Sequence, residues 1–459
     1  MERTEQKPRA RAWQITVALA ALTASANALA VPPAQDSQSA TAIATDSDAG
    51  ETQDSGASAP APQKWGKYTE NLGYKLVDTD KGDANLSIYS YVRYLNQKGT
   101  DSTYKDSFGN VTTLQERQEF QLLKVQIKFL GWLLDERFRY FLYAWSSNAS
   151  QGQGAQVVLA GNLNYTFNDH LTLSGGIRSL PGTRSVEGNF PFWLNVDNRL
   201  MADEFFRPSY TDGIWAQGDI IKGLRYQVML GNNLSTLGVS SGQLNNKIDT
   251  LSSALIWMPS TGEFGIGFGD FENHDTLATR LALHYTHSIE DKQAQPNTDA
   301  FENTQIRLSD GTVIFTPNIL GPGITVNEVL YAMSSLDAGV KYRGFALEGE
   351  FFWRQLDQFQ GPGTTGLRPL HDRGFQLQAS MMAIPQTLQL YAAGSSIRGQ
   401  YGNPWDSRVG INWFPFKNRV IRWNTQVMYI DRSPSGYNSL TYNVGSNGVI
   451  FNTDVELAL

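Results

Sequence analysis

The feature that most constrains the fold is an alternation of apolar and polar residues with a period of two. It is plainest in the last twelve residues, Gly448–Leu459. Successive side chains of a β-strand point to opposite faces of the sheet. One parity here is largely apolar, whereas the other carries an amide and two carboxylates, from Asn452, Asp454 and Glu456. We expect this strand to close a barrel, because pairing the last strand with the first removes both open edges.

The same alternation recurs from Trp65 to the end of the chain, for example in residues 86–94 and 157–167. Mean hydropathy is only −0.34, and no apolar run approaches the roughly 18 to 20 residues of a membrane-spanning helix. Strands of an outer-membrane barrel alternate lipid-facing and lumen-facing residues, which keeps hydropathy low and aromatic content high. The 19 tyrosines and 11 tryptophans fit that pattern. Four tryptophans near predicted strand ends fit interfacial girdles: Trp257, Trp353, Trp413 and Trp423.

The connections between predicted strands are alternately short and long, as in bacterial barrels with an even number of antiparallel strands. The number of strands depends on residues 259–275. If these residues form a strand, the chain has seventeen strands; if they form an elaborated turn on the side of the short turns, it has sixteen. We therefore predict an all-β fold, a sixteen-stranded antiparallel transmembrane β-barrel. Eighteen strands is the alternative, with a further hairpin in 291–332. A soluble all-β protein also stays open, although it gives no reason for the alternation of short and long connections.

The N-terminus has the order of features that defines a secretory signal peptide. Four basic residues precede an apolar stretch from about Trp13 to Ala24, and small residues follow, so we predict a signal peptide over 1–30 with cleavage after Ala30 or Ala28. Removing its four basic and two acidic residues leaves 33 Lys+Arg against 42 Asp+Glu, a net charge of −9. Residues 31–64 are rich in Ala, Ser, Asp and Pro and are predicted to be a disordered tail. The barrel domain is predicted over 65–459.

Catalytic and metal-binding patterns are weak in this sequence. Residues 238–242 match G-x-S-x-G but lie in a polar stretch, without the strand and helix that a nucleophile elbow requires. His284 and His287 are three residues apart and would point to opposite faces of a strand, which argues against a shared metal site. We predict no catalytic residue, metal or cofactor, with an outer-membrane hydrolase as a minor alternative.

The connection Ser179–Asp212 is too long and too rich in Phe, Trp, Leu and Met for an idle loop. We expect this third long connection to fold into the barrel, packing its aromatic residues on the wall and narrowing the lumen. The alternative is an external loop that covers a subunit contact. The predicted constriction residues of the loop are Arg184, Arg199, Arg207, Asp197, Asp203 and Glu204.

Side-chain parity also assigns charged residues of the strands to the lumen. Placing Lys or Arg on the lipid face costs about 2–4 kcal/mol at the membrane midplane, so these residues should point inward. The predicted lumen-facing basic residues are Arg93, Lys124, Lys128, Arg178, Arg280, Lys341, Arg354, Arg408 and Arg422. The predicted lumen-facing acidic residues are Glu348, Glu350, Asp454 and Glu456.

Three segments resemble the phosphate-selective porin O/P family. They are the block GTRSVEGNFPFWLNVDNRLMADEFFRPSYTDGIWAQG (182–218), KNRVIRWNTQVMYIDRS (417–433) and the terminal GVIFNTDVELAL. The resemblance covers roughly 65–459 and implies a homotrimeric, sixteen-stranded outer-membrane porin with an inward third loop. Selective members of that family line the pore with arginines and lysines, and we assign no residue of this sequence as a phosphate ligand.

These observations predict an outer-membrane porin of a Gram-negative bacterium. Small hydrophilic solutes would diffuse through its water-filled lumen with a mild preference for anions, phosphate being one candidate. A non-conducting barrel that serves as an anchor or adhesion platform is the alternative. The expected partners are outer-membrane lipid, the solute, and the barrel-assembly machinery through the C-terminal strand. No nucleic acid is expected.

Overall fold

The computed structural model describes residues 66–69, 72–122, 124–147, 156–236, 247–292, 305–436 and 440–459. The predicted signal peptide (1–30), the predicted tail (31–64) and the G-x-S-x-G motif (238–242) lie outside these residues and stay predictions. In the described part of the chain, no helix is both long and apolar enough to cross a membrane.

The strands form one antiparallel sheet that closes on itself as a sixteen-stranded barrel. Its first strand, β3 (Gly82–Thr100), pairs with its last, β21 (Gly448–Ala458), for example Tyr94 with Thr453. The second position of the barrel is shared by β6 (Gln118–Gln121) and β7 (Lys124–Leu133), which both pair with β3. The other strands are β8 (Asp135–Ser147), β9 (Gln156–Asn168), β10 (Leu171–Ser179), β11 (Tyr210–Ile221), β12 (Leu224–Gly231), β13 (Thr250–Trp257), β14 (Ala278–Asp291), β15 (Glu328–Tyr342), β16 (Phe345–Gln360), β17 (Leu370–Ile384), β18 (Leu388–Arg398), β19 (Trp405–Trp413) and β20 (Ile421–Asp431). The sixteen-stranded prediction is confirmed.

Two small hairpins accompany the barrel, and neither was predicted. The first strands, β1 (Tyr68–Thr69) and β2 (Gly73–Thr79), form a hairpin, and β2 also pairs with the start of β3. On the opposite rim, β4 (Thr103–Lys105) and β5 (Val111–Thr113) form a separate hairpin within the first long connection. Both involve short strands with mostly exposed side chains, which carry little apolar periodicity.

The two faces of the barrel wall differ in polarity as the alternation predicted. In the terminal strand, Val449 and Val455 are exposed on the outside, whereas Asn452, Asp454 and Glu456 are buried inside. Trp413 and Trp423 lie on the outer face of neighbouring strands, with ring centroids 6.4 Å apart. The other two tryptophans are outside as well, but Trp353 lies in the middle of β16 because that strand continues to Gln360, beyond its predicted end.

The turns at one rim are short, and their residues explain the reversals of the chain. Between β15 and β16, Arg343 and Gly344 both adopt positive φ (47° and 83°), which matches the right-handed twist of a two-residue hairpin. Similarly short turns join β7 to β8, β9 to β10, β11 to β12 and β17 to β18. Residues 258–277, which join β13 to β14 at this rim, form no strand, as predicted.

Candidate channel lumen

The third long connection, between β10 and β11, folds into the barrel and is buried over almost its whole length. It contains a 3-10 turn, Arg184–Val186, and a short helix, α1 (Met201–Phe206). We call residues 180–209 the inner loop. The helix packs its apolar residues against inward-facing side chains, and the ring of Phe206 stacks on Phe352 of β16 at 5.1 Å. The prediction of an inward third loop is confirmed.

Ion pairs fix the inner loop to three parts of the wall. The guanidinium of Arg184 lies 3.0 Å from Glu348 of β16. The Glu187 carboxylate accepts hydrogen bonds of 2.7 Å from Arg280 of β14. Asp197 is 2.9 Å from the Lys124 ammonium of β7 and accepts a hydrogen bond of 2.9 Å from the Tyr91 hydroxyl. These ion pairs therefore hold the inner loop against the wall of the barrel.

Basic wall residues also donate hydrogen bonds to backbone carbonyls of the inner loop. Arg93 donates to the Val196 carbonyl (2.6 Å), and Arg408 donates to the Arg199 carbonyl (2.9 Å). Each of these arginines is also paired with an acidic wall residue, as is Arg422, which donates to the Trp193 carbonyl. These arginines therefore hold the chain of the loop in place while remaining neutralised.

The remaining charges of the loop neutralise one another. The guanidinium of Arg207 forms hydrogen bonds of 2.7 and 2.8 Å with Glu204, and Arg199 lies 3.5 Å from Glu204 and 3.6 Å from Asp203. All four side chains are buried. A guanidinium held in this way is not a hydrated charge facing a channel, so the loop arginines serve to fold the loop.

Every predicted lumen-facing residue lies on the inside of the barrel. All are buried except Lys128, which is half-buried. Most are paired with an opposite charge: Arg354 with Asp372, Arg280 with Asp337, and Arg422 with Glu456. Their positions agree with the predicted parity, and their role in permeation stays a proposal.

Solvent reaches one side of the inner wall more than the other. On β7 to β11, several inward-facing side chains are half-buried, whereas inward-facing residues of β13 to β21 are almost all buried. The half-buried side chains are Gln126, Lys128, Arg139, Phe141, Asn164, Thr172 and Gln217. We call these strands, with β12, the wet wall. Its inward-facing side chains are the most accessible to water among those of the described strands.

Two basic residues of the wet wall stand out. Lys128 is directly opposite Tyr143 of β8, and Arg178 donates hydrogen bonds to Gln217 (2.6 Å) and Gln227 (3.0 Å). Within the part of the chain that the structure describes, neither has a carboxylate within 4.0 Å. Their charge is therefore not cancelled locally, unlike that of the arginines on the opposite side.

Two groups of acidic and histidine residues have the proximity of metal ligands. Glu187, His284 and Asp337 lie together, but Arg280 bonds to both carboxylates at 2.7 Å and supplies the positive charge that a metal ion would bring. The second group, Asp270, Glu272 and His274, lies in residues 258–277. Both groups have the contacts of ion-pair networks.

His274 in that second group has an altered protonation equilibrium. Hydrogen bonds to the Asp270 and Glu263 carboxylates raise its pKa from 6.5 to about 9. The imidazole is therefore protonated at neutral pH and links two acidic residues of the same connection. Glu272 of this group is paired with Arg419 at 3.0 Å.

The lumen contains two segments that sequence reasoning missed. Residues 258–277 enter from the rim of short turns, and the described part of the fifth long connection, 305–327, packs on the inner wall near β11, β12 and β15 to β17. The available signal was apolar content, because Phe264, Phe268 and Phe271 in one turn require something to pack on. The same argument had placed the third connection inside.

Comparisons with known proteins support the fold. No protein-family model matches the sequence, and a search of curated proteins finds no relative. Among solved structures, an anion-selective porin from Comamonas acidovorans matches with a TM-score of 0.50 and 8% identity, covering 83% of this chain and 100% of that one. The outer membrane channel DcaP of Acinetobacter baumannii matches with a TM-score of 0.50 and 7% identity, covering 83% and 99%. The chain therefore has the closed sixteen-stranded β-barrel fold seen in outer-membrane porins.

Proposed function

We propose that the protein is an outer-membrane porin through which small hydrophilic solutes diffuse passively, with a mild preference for anions. The main observation behind this proposal is the wet wall, where Lys128 and Arg178 lack carboxylate partners among the described residues. A charge in a narrow, low-dielectric passage focuses the field there, so these two residues outweigh the acidic net charge of the whole chain. The likeness to outer-membrane porins supports the same reading.

The sequence resemblance to the phosphate-selective porin O/P family makes phosphate a candidate solute. We also propose that the protein forms a homotrimer in the outer membrane of a Gram-negative bacterium. The barrel-assembly machinery would recognise its C-terminal strand. In agreement with it, the outward apolar faces of the strands provide the surface that a lipid bilayer requires.

A planar-bilayer experiment tests the proposal. The native protein should form discrete channels, and its reversal potential under a KCl gradient should show anion preference. Lys128→Gln and Arg178→Gln should each reduce that preference, whereas Lys98→Gln, an exposed lysine near the rim, should leave it nearly unchanged. Replacing chloride with phosphate then measures whether phosphate is selected. A strongly cation-selective native channel would refute the anion preference.

One observation favours the alternative of a non-conducting barrel. The inner loop and residues 258–277 fill much of the lumen, and the cavity between Phe190 and the wet wall near Trp145 has a volume of about 20 Å³. Such a cavity holds about one water molecule. If purified, correctly folded protein gives no conductance at any voltage tested, the anchor or adhesion role replaces the porin.

A further inference from the structure

Residues 258–277, the connection between β13 and β14, lie inside the barrel although they belong to the rim of short turns; we call them the inserted turn. Phe264 packs on the wall among Ile256, Met258 and Ala282. Further along, Phe268 packs with Tyr391 of β18. The inserted turn thus runs from the wall at β13 and β14 towards β18.

The inserted turn meets the inner loop, which enters from the opposite rim. The backbone N–H of Phe268 donates a hydrogen bond of 2.9 Å to the Phe192 carbonyl. The Gly267 carbonyl accepts hydrogen bonds from Arg184 of the inner loop (2.9 Å) and from Lys341 of the wall (3.0 Å). Three donors thus join the two segments and the wall at one point.

Gly267 is the residue whose size permits this approach. Its φ is +71°, and a Cβ atom on it would lie 2.2 Å from the Phe192 carbonyl oxygen. Because that oxygen is part of the backbone, the inner loop or the inserted turn would have to move. Gly265 offers a contrast, since its φ is +68° but its Cβ would meet only the side chains of His274 and Glu272, at 3.0 and 3.1 Å.

We propose that the inserted turn is a second constriction element, which holds the inner loop in position and so sets the cross-section of the channel jointly with it. Gly267 and Phe268 act as positioning residues, because they contact the inner loop rather than the solute. The inference rests on the proposed function, since it requires that the barrel conducts.

The test compares Gly267→Ala with Gly265→Ala in planar bilayers. Both replacements impose a similar backbone strain, but only the first places a Cβ atom against a backbone atom of the inner loop. We expect Gly267→Ala to change single-channel conductance about twofold, because it shifts the two segments that together set the narrowest part of the channel. It should also add current fluctuations, whereas Gly265→Ala should match the native channel.

A second pair of variants covers the possibility that Gly267→Ala fails to fold. Phe268→Ala removes packing against Trp193 and Leu194 of the inner loop, whereas Phe271→Ala removes packing against Met382 and Phe414 of the wall and rim. Heat-dependent electrophoretic mobility checks that each barrel is folded. The inference is wrong if the native channel conducts and neither Gly267→Ala nor Phe268→Ala differs from its control. If the native protein itself does not conduct, the proposed function fails instead.

Discussion

Replacing Asp197 with asparagine should loosen the inner loop at its contact with β3 and β7. Asp197 has a positive φ of 41°, a conformation that Asn tolerates as well as Asp, so the change leaves the backbone preference intact. The amide can still accept the hydrogen bond from Tyr91, but it no longer neutralises Lys124, whose side chain is only 6% exposed. The variant therefore isolates the loss of one charge.

The expected cost follows from the geometry. Two unit charges 2.9 Å apart attract by about 6 kcal/mol at an effective dielectric constant of about 20. Removing one partner of a buried pair costs about 3–5 kcal/mol in proteins, because the other charge remains buried without compensation. Since Lys124 borders a lumen that water can enter after a small displacement of the loop, we expect a loss of about 2–4 kcal/mol in the free energy of unfolding.

Urea unfolding of protein refolded into lipid vesicles, followed by tryptophan fluorescence, measures this loss. The control is a double-mutant cycle with Lys124→Gln, in which the double variant should recover much of the stability lost in Asp197→Asn. In bilayers, Asp197→Asn should also increase anion preference, because it removes a negative charge near the wet wall. A loss below about 1 kcal/mol together with additive single mutations would show that the pair does not anchor the loop.

Three further changes test other parts of the structure. Deleting Val186–Ala202 removes Glu187, Asp197 and Arg199, so the net charge of the lumen rises by one positive unit. Single-channel conductance should rise about twofold, and the preference for anions should increase. Unchanged conductance and selectivity would contradict a constricting role of the loop. Val427→Arg on the exposed outer face should cost about 2–4 kcal/mol in vesicle unfolding, with Val427→Leu nearly neutral. His274, whose pKa is raised to about 9 by Asp270 and Glu263, should stabilise the inserted turn fully below pH 6.5 and lose that effect as pH rises through about 9. An NMR titration midpoint near 6.5 would contradict this assignment.

The two candidate functions differ in what they require of the lumen. A porin needs a continuous aqueous path, and the wet wall combines several half-buried inward side chains with Lys128 and Arg178, which have no carboxylate partner among the described residues. An anchor needs only a stable barrel, and buried ion pairs do not distinguish it from a porin. Conductance of the native protein, followed by Lys128→Gln and Arg178→Gln, therefore separates the two functions better than any measurement of stability.

The sequence by itself determined the wall of the barrel. A period of two assigns each strand residue to one face, so Arg422 and Glu456 could be placed inside and Trp423 outside without knowing which strands pair. The short connections could be recognised from their own residues, as at Arg343-Gly344. Each such turn marks the end of one strand and the start of the next antiparallel strand, so the turns give the number and direction of the strands around them. The aromatic content of residues 179–212 was enough to predict burial, because exposed apolar surface is unfavourable in water whatever covers it.

Only the tertiary structure decided what occupies the lumen and which inward-facing charges are paired with one another. Arg280 meets Glu187, 93 residues away in sequence, because a loop and a strand reach the same height inside the barrel. A charge pattern gives the sign of each group but not its partner, so Arg184 and Arg199 could not be distinguished from lumen-facing arginines such as Arg178. The course of the inserted turn was equally beyond the sequence, because it depends on a backbone contact between Gly267 and Phe192. Periodicity is a local property of the chain, whereas these partners are set by the path of separate segments through one enclosed space.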